Sequence, residues 1–258
     1  MRLRIVPYSV SYETVERLNK HADILLYTTT ALSIVISVLG YFDLFPGLRT
    51  TLIGVNILLI CIYIFLDNRA NYIFTKAEMK RRLDWLDNSF GTNFSGKRSQ
   101  GYFTNEHLSP GLYKLAVNCF ENGHHTHFII SKMLGRIIVQ TIVIILIFIA
   151  SAYIGNREII RMFFELSLPA ILFQKLIKAL YFSSRIADVQ DRFKLLFNDL
   201  MKVGFENKTA EALRDILEYE TALSWASTPL SSRVFKKYQN SLASDWEELK
   251  TEYQIETE

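Results

Sequence analysis

The chain has 258 residues, 50% of them hydrophobic and 21% charged, with a formal net charge of +3. Those values fit one large soluble domain, but the apolar residues are gathered in blocks of seventeen or more rather than at helical or strand spacing, which excludes that class. A charge this mild gives no footprint for a nucleic-acid polymer, and none is expected as a partner.

Residues 1–23 start basic but lack the short apolar core and small-residue cleavage site of a signal peptide, so they are expected to stay on as a cytosolic N-terminal helix. Two apolar stretches follow, Ile24 to Phe42 and Thr50 to Leu66, and make a first transmembrane hairpin over residues 24–66. Thr30, Ser33, Ser37 and Gly40 recur at spacings of three and four, a stripe of small side chains along which another helix backbone approaches closely. Asn56 needs a partner in lipid, and an interhelical hydrogen bond is expected in preference to a transport role.

Residues 67–136 form a cytosolic insert. It opens as a basic helix, NRANYIFTKAEMKRRLDWLDNSF, and breaks at the loop GTNFSGKRSQGYFTNEHLSPG. A second helical run, LYKLAVNCFENGHHTHFIISKMLGR, leads out of it. So short a region supports a small core at best, so it is expected to fold against the other cytosolic parts or a sister subunit.

The third stretch, IIVQTIVIILIFIASAYI from Ile137 to Ile154, is the clearest span, interrupted only by Gln140, Thr141 and Ser151. Its length as a helix is roughly 27 Å, close to the hydrocarbon thickness. Its Ile, Val, Leu and Phe side chains favour insertion by roughly 4 to 7 kcal/mol before the polar residues oppose it. With the more polar stretch Ile159 to Phe182 it makes a second hairpin over residues 137–182.

Residues 183–258 read as a helical cytosolic tail. Val189, Phe193, Leu196, Phe197 and Leu200 share one apolar face, and GFENKT marks a break. Leu213, Ile216, Leu217 and Leu223 lie on a second helix, and Thr228 and Pro229 open a last one through Val234, Leu242, Trp246 and Leu249. The acidic end from Glu247 to Glu258 is expected to fray.

Lys and Arg fall almost entirely on one side of the spans. The short loops inside the two hairpins offer Arg49, Arg157 and Arg161, whereas Arg2, Arg4, Arg17, Lys20, Arg69, Lys76, Lys80, Arg81, Arg82, Lys132, Arg136, Arg185, Arg192 and Lys194 crowd the other side. By the positive-inside rule both termini and the insert are cytoplasmic, giving an all-α multi-pass protein of four spans in a plasma membrane. The two cysteines, Cys61 in a span and Cys119 in the insert, would lie in different media and imply no disulfide framework.

No motif points to catalysis, and neither cofactor nor metal is expected. Gly91, Gly96, Lys97 and Arg98 nearly complete a phosphate loop, but Arg98 stands where the magnesium-binding hydroxyl belongs and a helix, not a strand, precedes Gly91. Glu121 and His124 have the Glu-x-x-His spacing of half a di-iron site, with His125 and His127 nearby and no second half. Lys97, Arg98 and Lys114 near Phe94, Tyr102 and Phe103 suit a phosphate with a stacked base, with Lys97, Arg98, Tyr102 and Phe103 the ligand-binding candidates. The same composition suits a plain loop touching anionic headgroups.

At about 100° per residue, Ser167, Gln174, Lys178 and Arg185 line one face of the fourth stretch, with Glu165 opposite. Pro169 displaces the bond to the Glu165 carbonyl and favours a kink. In one reading Lys175 and Lys178 snorkel to the headgroups near the cytoplasmic end. In the other, several copies turn the stripe toward a shared axis and line a pore whose Lys and Arg ring biases conduction toward anions.

The paired spans, the insert LDWLDNSFGTNFSGKRSQGYFTN with LYKLAVNCFEN, and the tail segments IADVQDRFKLLFNDL and ILEYETALSWASTPLSSRVFKKYQNSLASDWEEL give the chain a layout that resembles the SMODS-associated four-transmembrane pore-forming effectors of bacterial antiphage defence. The likeness covers most of the chain in arrangement, without a short diagnostic motif or any transferable ligand residue. It implies a homo-oligomeric cell-suicide effector of the bacterial inner membrane, held silent until an infection signal, carried by a nucleotide second messenger or a signalling enzyme, triggers permeabilisation. A non-conducting adaptor whose cytosolic helices recruit a partner is the alternative. A solute transporter is less favoured, since no matching pair of broken helices supports a repeat-built carrier.

Overall fold

The structure, a computed structural model, describes residues 5–154 and 159–255, and for positions 147, 148, 150–154 and 159–170 the backbone path alone. It is all-helical, with 82% of residues in helix. In chain order the elements are α1 (Ser9–Tyr41), α2 (Pro46–Phe90), α3 (Leu112–Ile154), α4 (Ile159–Leu200), a 3-10 turn (Phe205–Lys208), α5 (Thr209–Ala226) and α6 (Ser232–Glu252). Among the described residues there is no strand, and the one β-type contact is an antiparallel bridge between Ile5 and Gln100.

Apolar and polar stretches that differ in composition share single helices. α1 joins most of the N-terminal segment to the first apolar stretch, and α2 runs from the second into the basic insert without a break. No proline interrupts α2 after Pro46, whose fixed φ suits the first helical position. α2 stops at Gly91, whose φ of +73° supplies the left-handed C-cap. Helices within Ser9–Tyr41, Pro46–Phe90 and Leu112–Leu146 are long and apolar enough to cross a membrane. The expected fourth span falls largely on residues whose side chains are not described.

The chain divides into two compact units. The first comprises Met1–Tyr12, Phe74–Met133 and Ala179–Glu258, so insert and tail belong to one body. Its centre is Phe120 of α3, stacked on Phe197 at 5.1 Å and Phe193 at 5.8 Å, with Trp246 and Tyr253 edge-on at 5.5 and 5.8 Å. Each such aromatic pair adds about 0.5–1.5 kcal/mol beyond its buried area. Gly123 faces the Gln190 side chain of α4, whose Oε1 would stand 2.9 Å from a Cβ there.

α5 carries Leu213, Ile216, Leu217 and Leu223 as expected; it buries Ala212, Asp215, Ile216, Tyr219, Ala222 and Ala226, while Leu213 and Leu217 face outward. Two details of the tail differ from the sequence reading. α6 begins at Ser232 rather than beside Pro229, capped by the Ser231 Oγ, which accepts from the Val234 amide at 3.3 Å. The acidic end does not fray through its described part: Tyr253 packs on Phe120 and Ile255 is 4% exposed, so two apolar anchors hold a segment whose charge alone suggests solvent.

The second unit comprises Glu13–Ile73 and Leu134–Lys178. Ala22, Leu26, Tyr63, Ile144 and Leu172 form its core, one or two residues from each long helix. Asn56 Nδ2 donates to Ser33 Oγ at 2.9 Å, the interhelical bond expected of it, and Ser37 of the small-residue stripe is buried. Most other large apolar side chains point away from this core. In α2 only 11% of the apolar window is buried, against 28% in α1 and 22% in α3.

Candidate functional site

Of the α4 stripe, the side chains of Gln174, Lys178 and Arg185 are described, all on one continuous helix. Gln174 is exposed between the exposed apolar side chains of Phe173 and Ile177. Lys178, half-buried, is the last residue of the second unit, and residues from Ala179 onward belong to the first, where Phe182 is buried. Arg185 also lies in the first unit, where its guanidinium donates to Glu218 of α5 and stands 3.6 Å from Asp188. The side chains of Glu165, Ser167 and Pro169 lie outside the described ones, although α4 is helical through position 169.

Lys175, one residue beyond Gln174, marks a charged belt. Its Nζ lies 3.4 Å from Asp23 and 5.8 Å from the centre of the Tyr63 ring, with Asp67 close enough to act on it. Asp23 and Asp67 flank the first and second apolar stretches in sequence. The charges that close off these stretches therefore converge at one end of the second unit.

The loop over residues 91–111 is organised by the carboxylates of Asp84 and Asp87. Asp87 accepts from the amides of Phe94 at 2.6 Å and Ser95 at 2.7 Å and from the Thr92 hydroxyl at 2.8 Å. Burial pushes its carboxyl up, but the hydrogen bonds from Ser95, Phe94 and Thr92 outweigh this and hold it at about 2. Asp84 takes the amide and hydroxyl of Ser99 at 2.7 and 2.6 Å. The amides of Phe94, Ser95 and Ser99 are thus occupied by these two carboxylates. Arg98 is exposed and turns back onto the carbonyls of Gly91 and Thr92, Lys97 is exposed, and Lys114 is buried with its Nζ 3.5 Å from the Glu106 carbonyl.

Tyr102 and Phe103 part company with those cations. They sit edge to face, 4.9 Å between ring centres, and line a cavity of about 140 Å³ with Phe235, Trp246, Glu121 and Glu247. Glu121 is 9% exposed, and its Oε2 accepts from Thr104 Oγ1 at 2.7 Å and Asn105 Nδ2 at 2.9 Å. Burial raises its carboxyl pKa against the opposing pull of those bonds. Trp246 is 1% exposed and its buried Nε1 has no hydrogen-bond partner. His125 lines the same space, whereas His124 and His127 do not. Burial pushes both of those imidazoles below their usual pKa. Among the described residues no group of three or more His, Cys, Asp or Glu side chains is placed to hold a metal.

A network that the sequence reading missed ties α2 to α5. Arg81 donates to Glu78 at 2.9 Å and to Glu220 at 2.7 Å, and Arg82 donates to Glu220 at 2.6 Å and to Ser224 at 2.5 Å. Tyr12 donates to the other side of Glu78. Burial opposes the charge on Arg81, but Glu78 and Glu220 prevail and hold its pKa well above the ordinary value. These partners stand 139 residues apart, and only the density of charge in KRRLD hinted at such a role. No family profile, curated protein or solved structure matches the chain.

Proposed function

We propose that the chain is a pore-forming membrane effector of bacterial antiphage defence, with four spans in the inner membrane, both termini cytoplasmic, and no catalytic step. The observation that carries this reading is the outward-facing apolar surface of the second unit. With only 11% of its apolar window buried, α2 presents a surface suited to lipid, and several copies of the chain within the bilayer would share part of it. The charged belt of Asp23, Asp67 and Lys175 then lies at the cytoplasmic headgroups.

Within an oligomer, Gln174 supplies a polar face at the edge of the hydrocarbon and Lys178 stands at the cytoplasmic mouth. Arg185, paired with Glu218, follows on the same helix. The resemblance to SMODS-associated effectors supports the defensive role and an infection signal as trigger. Proteoliposomes holding purified chain are expected to release a trapped anion, and Gln174→Leu with Lys178→Ala to slow release at least tenfold. Assembled oligomers that release nothing would overturn the reading.

The adaptor alternative draws on one observation, the engagement of Arg185 and Arg192 with Glu218, which makes the base of α4 a fixed part of a folded body. A monomer or dimer in mild detergent favours that alternative, and a larger ring favours the pore.

A further inference from the structure

We propose that the cavity between the 91–111 loop and α6 binds a small organic cation, an alkylammonium or alkylguanidinium, with Glu121 as its counter-charge. The site lies entirely in the first unit and is independent of whether the spans conduct.

Charge decides the ligand's sign. Glu121 and Glu247 line the space, and no Lys or Arg is among the described residues that do. Glu247 is mostly exposed and already pairs with Lys250, whose Nζ lies 2.7 Å from its carboxylate. Glu121 has no cation in contact: both of its bonds go to Oε2, from neutral donors, and no described residue bonds Oε1. A carboxylate this buried is costly to keep charged, and a weakly hydrated incoming cation offsets part of that cost. An anion would meet the opposite field. The aromatics that the sequence associates with a phosphate therefore stand in a site of the wrong sign for one.

Shape and surface decide the rest. A cavity of ~150 Å³ takes a six-carbon ring, so a volume of about 140 Å³ suits a head group with a short alkyl body. Tyr102, Phe103, Phe235 and Trp246 bring π-faces and edges to that body, the arrangement that favours organic cations over hydrated metal ions. Asn122 and Gln239 on the same lining offer amide oxygens to a ligand's further N–H groups.

Calorimetry on the full chain in detergent tests this with n-butylammonium, n-butylguanidinium and tetramethylammonium as probes, beside neutral n-butanol and inorganic phosphate. At least one cation is expected to saturate one site per chain, with at least tenfold weaker binding of butanol and phosphate. Glu121→Gln is expected to weaken the cation at least tenfold. Ala243→Phe fills the exposed rim of the cavity and serves should the first variant misfold; with its helical signal intact it is expected to weaken binding to the same degree. No saturable cation, phosphate or butanol bound as tightly as the cations, or full affinity in folded Ala243→Phe each overturns the assignment.

Discussion

In the first unit, polar side chains reach across the fold: Arg81 to Glu220, Asp84 to Ser99, Asn105 to Glu121 and Asn118. In the second, most stay at home. Thr28, Thr30 and Thr141 each donate to the carbonyl four residues back, at 2.8, 2.7 and 2.8 Å, and cross-helix contacts include Asn56 with Ser33 and the belt pair Lys175 with Asp23. The aromatic core of one and the outward apolar faces of the other follow the same division. Such a division is what two solvents, water for the first unit and lipid for the second as proposed, would select in long helices of similar build. Water rewards burying apolar area and tolerates exposed charge, whereas lipid rewards satisfying each polar group locally.

The contrast breaks first at the aromatic centre. Trp246→Ala or Phe120→Ala should cost about 3–5 kcal/mol and unfold the first unit while the lipid-dependent helices stay helical. Chemical denaturation followed by near-UV and far-UV circular dichroism separates the two signals, and coincident loss of both would contradict independent stabilisation.

Arg81→Ala should cost ~3 kcal/mol, because Glu78 and Glu220 would be left facing one another with little solvent. Adding Glu220→Leu should recover part of that loss, read from the same denaturation midpoints. An additive double mutant would show that the bridge is not coupled.

A smaller effect belongs to the loop anchor. Asp87→Asn should cost about 1–3 kcal/mol by weakening charge-assisted bonds to the Phe94 and Ser95 amides. The sign with pH follows from a folded pKa of about 2, below the usual carboxylate value. The contribution is complete above about pH 4 and is lost as pH falls toward 2. Hydrogen exchange at those amides should accelerate in that window, and exchange that is flat with pH after correction for intrinsic rates would remove the carboxylate from this role.

The smallest effect sharpens the lipid side. Asn56→Leu should change stability by only ~0.6–2 kcal/mol, because an interhelical bond in a membrane competes with other partners in the unfolded state. Titration with a denaturing detergent measures it, and a loss as large as that of Phe120→Ala would mean that this pair is the second unit's main support.

Much of this was legible in the residues, for physical reasons that differ by region. Unbroken apolar runs reveal spans because lipid demands length without charge, and the 91–111 loop announces itself through glycine. The faces of α5 were harder: Leu213 and Leu217 look buried by hydropathy, yet the close packing uses Ala212, Ala222 and Tyr219. Asp84 and Asp87 carried a signal that went unread. Acidic side chains in the last turns of a helix oppose its dipole, so a pair of them before a glycine-rich loop calls for a compensating set of amides. The candidate ligand residues were half legible, in that the aromatics gather at a cavity, but the cations named with them do not line it. Long-range geometry assigns the partners of Glu121, and no local spacing encodes them.

Two native thiols probe the central claim, that lipid is the solvent of the second unit. Cys119 is buried in the first unit, where burial pushes its thiol pKa up and makes it inert, whereas Cys61 is exposed on the surface of α2. In intact proteoliposomes a water-soluble maleimide should label neither, and both should react once the membrane and fold are dissolved in dodecyl sulfate. Labelling of Cys61 in the intact bilayer at the rate of a free thiol would mean that water, not lipid, covers that helix.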